Sequence, residues 1–386
     1  MFSTSSFGSQ NKYNVNNSIE LSNCPNDSIS KVSYSNSIES WISHTMKDYS
    51  RFEASTLEHS LILLFFQVCW SMNSSLLAAS SWDKSVTVWE VQHMGGNSVN
   101  TRFGASFQHS APVLDCAISS DSRYLFSGGC DNELKMHDMS SRQSQTIGRH
   151  DAPISNIFWC DEQKFVVTGS WDKTIKFWNG QSQNPIYSLS IPERVYAMDL
   201  KYPALVVAAA DNAVYVWNLQ NITPTPYKRI QTQLKLQPRS ISLFPDRTGF
   251  AIGSIEGRCA IAHIEESHRD KNFPFRCHRV TSSSPDIAYS INSIDFHLQY
   301  GTFATGGSDG AIAFWDKDNK SRLTIMKTMP APVTDIKFSP SGKLLAYSLS
   351  YDWSKGYDNT AINNSCNKVL LHVMNDEHVC PKGKRS

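Results

Sequence analysis

The nine cysteines of this 386-residue chain form no C-x-x-C pair and no zinc-finger spacing. An odd, scattered set excludes a disulfide framework and predicts buried, reduced thiols of a nuclear or cytosolic protein. Excess charge is also lacking: 36 basic residues face 35 acidic ones, so nothing draws the whole molecule to nucleic acid or membrane. Any basic surface must therefore be local. No apolar run reaches the ~20 residues of a spanning helix; Leu61–Phe66 is six long. The polar, Ser/Asn-rich opening is not a secretory leader, and residues 1–16 are expected to be disordered. A soluble intracellular protein without membrane insertion is expected.

Helical periodicity is nearly absent. So are H-E-x-x-H, G-x-x-x-x-G-K-[ST] and a dinucleotide fingerprint in its strand–helix context. What the chain does have is repetition. "LLAASSWDKSVTVWEV", "YLFSGGCDNELKMHDM", "FVVTGSWDKTIKFWNG", "LVVAAADNAVYVWNLQ", "GFAIGSIEGRCAIAHI" and "GTFATGGSDGAIAFWDK" share one plan. An apolar strand ends in small residues, an acidic turn follows, and an alternating strand closes, mostly on Trp or His. The turn acids are Asp83, Asp131, Asp172, Asp211, Glu256 and Asp309, with a seventh at Asp352. Their separations of 48, 41, 39, 45, 53 and 43 residues give the period of WD-repeat propeller blades. The fold class is all-β, a seven-bladed WD-repeat β-propeller spanning 17–378, with 379–386 as a short basic tail. In blade three, His150, Thr168, Asp172 and Trp178 are expected to form a buried hydrogen-bonded chain. Blades two and five should lose it, since His137 and His263 stand in the tryptophan position. These residues are architecture, not catalytic groups.

"HDAPI", "TGSWDKTIKFW", "PERVYAMD", "GFAIGSIEGR", "FPFRCHR" and "YDWSKG" together resemble the WD-repeat mRNA export factors of the nuclear pore, from about Ile19 to Met374. "SIEGR" and "FRCHR" also resemble the related kinetochore checkpoint propellers; "PERVY" and "YDWSKG" favour the export family. In that family an "IE-x-x-x-x-P-x-DSI" strand runs within about ten residues into the first blade. Here Lys31 and Val68 would join as "NDSISKVCWSMNSSLLAASSWD", leaving 32–67 superfluous. The segment begins on Val, whose codon opens GT, and ends "LILLFFQ", encodable by a pyrimidine run closing on CAG. It reads as a retained intron or as a long insertion in blade one; loops of that length are uncommon in compact domains. A transcript keeping these codons in most copies would exclude the intron. "NSIELSN", Asn17–Asn23, is the expected outer strand of blade seven, removing a free edge.

In a propeller the b–c turns and d–a loops share one face. There the sequence places Trp82, Trp171 and Trp353 in b–c turns, Arg194 and Tyr196 in one d–a connection, Arg239 in the next, and Arg258 after "IEG". The fifth d–a loop is expected to add Phe273, Phe275, Arg276, His278 and Arg279. Arginine among aromatics is the composition of an interface hot spot, and the charge favours an acidic partner. The resemblance implies an acidic GLEBS-like segment of an FG-nucleoporin, with Arg239 and Arg258 as its main contacts. It also implies single-stranded RNA on a basic rim, for which Arg276, Arg279 and Lys355 are the candidates. It implies a monomeric propeller in a hetero-complex at the nuclear pore, with nuclear and cytoplasmic pools and no cofactor. A checkpoint scaffold binding GLEBS-like segments of kinases is the neighbouring alternative. A propeller hydrolase is the alternative of another class, because "GGSDG" (306–310) fits G-x-S-x-G. That motif needs a strand-to-helix turn, and here it lies between two strands.

Overall fold

The computed structural model describes residues 18–20, 65–96, 98–281, 286–352 and 367–381. Among them, seven four-stranded antiparallel sheets and one two-stranded hairpin account for the strands. Within each blade the strands are named a to d in sheet order. Blade three is representative: Ile154–Cys160, Phe165–Ser170, Thr174–Trp178 and Tyr187–Ser190. Strand a of each blade packs on strand a of the next, so the a strands form the inner ring.

The turn acids act locally. Asp83, Asp131, Asp172, Asp211 and Asp309 each accept the backbone N–H two residues on, at 2.9–3.2 Å. This side-chain turn lets the chain reverse between strands b and c. The residue after the acid is left-handed in six blades: Lys84, Asn132, Lys173, Asn212, Gly257 and Gly310. At Gly257 the requirement is also steric, since a Cβ would stand 2.8 Å from the Cys277 carbonyl oxygen. Apolar side chains fill the seams between blades. Trp89, Trp178, Trp217, Phe177 and Phe314 are essentially inaccessible, each contributing roughly 2–3 kcal/mol by burial.

The blade-three chain forms as expected. His150 Nδ1 is 2.7 Å from Asp172 Oδ2, its Nε2 is 2.8 Å from Thr168 Oγ1, and Trp178 Nε1 donates to that hydroxyl at 2.8 Å. Blade six repeats it with Asp309, His278, Thr305 and Trp315. Blade two does not lose it. His109 links Asp131 to Ser127 at 2.7 Å on each side, and His137 lies 2.6 Å from the same hydroxyl. His137 Nδ1 also meets Ser144 Oγ at 2.7 Å, so the imidazole takes the indole's place beside Ser127. Burial pushes the His137 pKa down to about 3, which keeps that ring neutral. Blade five does lose it: His263 turns to Asn272 at 2.9 Å. Blade four keeps Trp217, but Val207 stands where blade three has Thr168, and among the described residues the buried indole N–H has no acceptor.

Closure is by the N-terminus. Ser18–Glu20 pairs antiparallel with Lys368–Val373, Ile19 opposite Leu371, completing blade seven in front of Val333–Phe338 and Leu344–Leu349. Phe65–Gln67 opens the first strand of blade one, Phe65 opposite Ser81; residues 32–64 lie outside the described residues, as do 1–16 and 382–386. A helix, Asp376–Val379, follows the last strand and buries Val379.

Candidate protein-interaction face

Every blade carries a register shift near the start of strand a, and the shifted residue sits at the same height in each. In blades three to seven these residues are Ser155, Tyr196, Arg239, Asn292 and Thr334. A bulge bends the strand and re-aims one side chain out of the ladder. Tyr196 and Arg239 therefore occupy equivalent places on neighbouring blades, both half-buried, with half-buried Arg194 just before the blade-four strand.

Arg239 has no ion-pair or hydrogen-bond partner among the described residues. Burial lowers the pKa of its guanidinium, while Asp352 acts the other way. Asp352 is itself engaged: Ser308 donates to it, and Asn292 Nδ2 approaches at 3.5 Å while donating to the Val333 carbonyl at 2.8 Å. Ser308, the serine of "GGSDG", thus lies in a strand-to-strand turn with a structural bond and not on a nucleophile elbow.

Other expected contacts are placed differently. Arg258 does not extend freely over the face: it pairs with Glu256 at 3.3 Å, its side chain is 27% exposed, and its Nε is enclosed. Arg279 donates to the backbone carbonyls of Glu256 at 2.6 Å and Gly257 at 3.4 Å, tying the short hairpin Arg279–Val280/Ile287–Ala288 to the blade-five turn. Phe273–Arg276 is not a loop but strand d of blade five. Phe275 is 6% exposed, 4.8 Å from the Trp315 ring, so it is core rather than surface. Half-buried Phe273 packs on the same cluster, with Lys320 Nζ 4.9 Å from its ring centroid. His278 is the buried histidine of blade six, not a face residue. Arg276 is exposed and stands directly opposite Arg258. Trp82 and Trp171 are half-buried in the b–c turns of blades one and three. Trp353 and Lys355 lie outside the described residues.

What remains at the surface is a crescent over blades four and five: Arg194, Tyr196, Arg239, Arg258, Arg276 and Arg279, with Glu256 among them. Two arginines in direct opposition repel each other, so an anionic group placed between Arg258 and Arg276 relieves that repulsion.

Beneath this face the sequence hid a second set of charges. Asp115, Asp199, Asp295 and Asp335 lie on a strands, and each accepts a backbone N–H from strand a of the next blade. The donors are Ile157 (2.6 Å), Leu243 (2.7 Å), Phe338 (2.8 Å) and Val68 (2.8 Å). Lys337 and Lys201 supply the counter-charge, Lys337 at 3.4 Å from Asp295 and Lys201 at 3.3 Å from Asp199. Burial pushes Asp335 up to about 6 and Asp115 well above the usual carboxylate range. These carboxylates tie blades together; no group among the described residues is arranged to hold a metal ion.

Fold and face define a WD-repeat β-propeller. The WD40 description (WD domain, G-beta repeat) matches residues 55–90, 102–138, 141–179 and 275–316. The chain is 40% identical over 323 residues to the poly(A)+ RNA export protein of Schizosaccharomyces pombe, covering 82% of this chain and 90% of that one. It is 44% identical to the mRNA export factor GLE2 of Chaetomium thermophilum (78% and 84% covered) and 40% identical to protein Rae1 of Drosophila melanogaster (75% and 84%). The chain belongs to this family of WD-repeat mRNA export factors. The solved structure of U3-55K, 19% identical with a TM-score of 0.62 over 82% of this chain and 96% of that one, shares the fold alone.

Proposed function

We propose that the protein is a non-enzymatic adaptor of nuclear mRNA export, docking an acidic GLEBS-like segment of an FG-nucleoporin on the crescent of blades four and five. The observation that carries this reading is Arg239: a half-buried guanidinium at a strand bulge, with no ion-pair partner among the described residues. A peptide carboxylate delivered there pairs with a partly desolvated cation, where charge-assisted bonds are strongest. A guanidinium fork suits that carboxylate better than an ammonium. The names of its relatives support export as the process; the nuclear-pore location is part of the same proposal. Exposed Arg276 is the best-placed residue for a phosphate of single-stranded RNA, a weaker contact given the overall charge of +1.

Calorimetric titration of an acidic nucleoporin-type peptide into wild type and Arg239→Ala tests the reading. A loss of at least ~2 kcal/mol in affinity is expected, the size of a hot-spot truncation, with an unaltered melting curve. Equal affinity for a folded variant would remove Arg239, and the crescent with it, from the docking site.

A further inference from the structure

In six of the seven seams a side chain of one a strand is tied to the backbone of the neighbouring a strand: a buried aspartate in four, part-buried Ser155 in the blade three–four seam and buried Ser240 in the blade five–six seam. The seam between blades one and two is tied side chain to side chain instead, the Gln67 amide donating to the Asp115 carboxylate, and it also holds a thiol pair. There Cys69 of Phe65–Trp70 and Cys116 of Val113–Ile118 meet with their sulfurs 3.5 Å apart. Ser80 Oγ, donating to the Leu114 carbonyl at 3.3 Å, is a further polar link beside them. Both thiols are free, Cys116 buried and Cys69 half-exposed.

We propose that Cys69 and Cys116 form a redox-responsive staple, in which a peroxide oxidant converts the thiol pair into a disulfide joining blade one to blade two. A disulfide needs the sulfurs at about 2.05 Å, a closure of about 1.5 Å from 3.5 Å, within reach of small side-chain rotations on two strands already in contact. The more exposed Cys69 is the first to react. Its thiolate attacks one oxygen of hydrogen peroxide, the O–O bond breaks, hydroxide leaves, and a sulfenic acid forms. The Cys116 sulfur then attacks the Cys69 sulfur, the S–O bond breaks, and water leaves with the Cys116 proton. Two thiols lose two electrons and two protons, and peroxide becomes two waters.

The surroundings set the rate. The thiol–thiol hydrogen bond, then burial, then the Cys69, Asp115 and Asp335 charges hold Cys116 protonated well above the usual thiol range. The second step is therefore slow at neutral pH, and the staple answers sustained oxidation rather than brief exposure. Its position gives it leverage. Val68, the residue before Cys69, is tied by its N–H to Asp335 of blade seven. Once oxidised, blade one's inner strand is held on both flanks at consecutive residues, covalently on one side.

The test uses the full chain. Protein is treated with hydrogen peroxide, residual thiols are alkylated, and the non-reduced digest is analysed by mass spectrometry. Expected are a linked Cys69–Cys116 peptide that disappears on reduction and a melting temperature raised by several degrees. Both should be absent in Cys116→Ser, and in Cys69→Ala if the first variant does not fold. Recovery of both cysteines as separate alkylated or over-oxidised peptides, with no linked species and no shift, would overturn the staple.

Discussion

Asp335 shows how one side chain here is made to hold two roles. Its Oδ2 accepts the Val68 N–H at 2.8 Å, bridging the last blade to the first, and its Oδ1 accepts the Ser293 hydroxyl at 2.5 Å. Burial nevertheless dominates and pushes it up to about 6, with Lys337 as the opposing influence. A folded value above the unfolded one means that the native state holds its proton longer. This group's contribution to stability is therefore fully present below about 4 and lost as pH rises through about 6. Asp335→Asn keeps a carbonyl acceptor for Val68 but cannot ionise. Melting curves of the pair from pH 4 to pH 7 should show wild type losing stability relative to the variant. A difference that stays constant, or moves the other way, would mean that Asp335 is ionised throughout.

At the scale of single elements, the closing strand Ser18–Glu20 is short, and it is held through its backbone pairing with Lys368–Val373. Proline at Ile19 removes an N–H and fixes φ, which a paired strand tolerates poorly. Ile19→Pro should lower the melting temperature by several degrees; an unchanged curve would show that the ring closes without this strand. Elements also explain what was legible in the sequence. Blade count was, because an acid marks each b–c turn, and five of the seven acids bond the N–H only two residues away. Blade three's chain was, because its four residue types recur at fixed offsets. In "FPFRCHR" Pro274 interrupts the alternation and reads as loop; at an outermost strand its missing N–H costs nothing, so Phe275 goes to the core. His278 does lie in the connection after strand d, but its burial depends on Asp309 and Thr305, 31 and 27 residues away, which no local pattern encodes. The interblade carboxylates left a faint signal, an aspartate inside "VLDCAI", "YAMDLK", "NSIDFH" and "VTDIKF". Their acceptor role depends on strands 42–44 residues away, or 267 for Asp335, which no local pattern encodes. The ion pair of Arg258 with Glu256 has no sequence signal, because it depends on side-chain geometry rather than spacing.

For the whole molecule, the ring is a series of like units that differ in their buried polar chains. Blades two, three and six invest in complete buried polar chains, whereas blades four and five do without them and carry the arginine crescent. If the proposed partner docks there, blades with complete polar chains flank its site on both sides and help hold its shape.

The pairing of Ile19 with Leu371 also imposes an order in time. A ribosome adding ~5–20 residues each second makes the first partner roughly 20–70 s before the second. Until then the outer edge of blade seven has no occupant, and the first-made strand waits while six sheets assemble behind it. Such a long-range contact is closed late and slowly. The nascent protein therefore spends most of its synthesis as an open arc, and its final shape is a property of the finished chain alone.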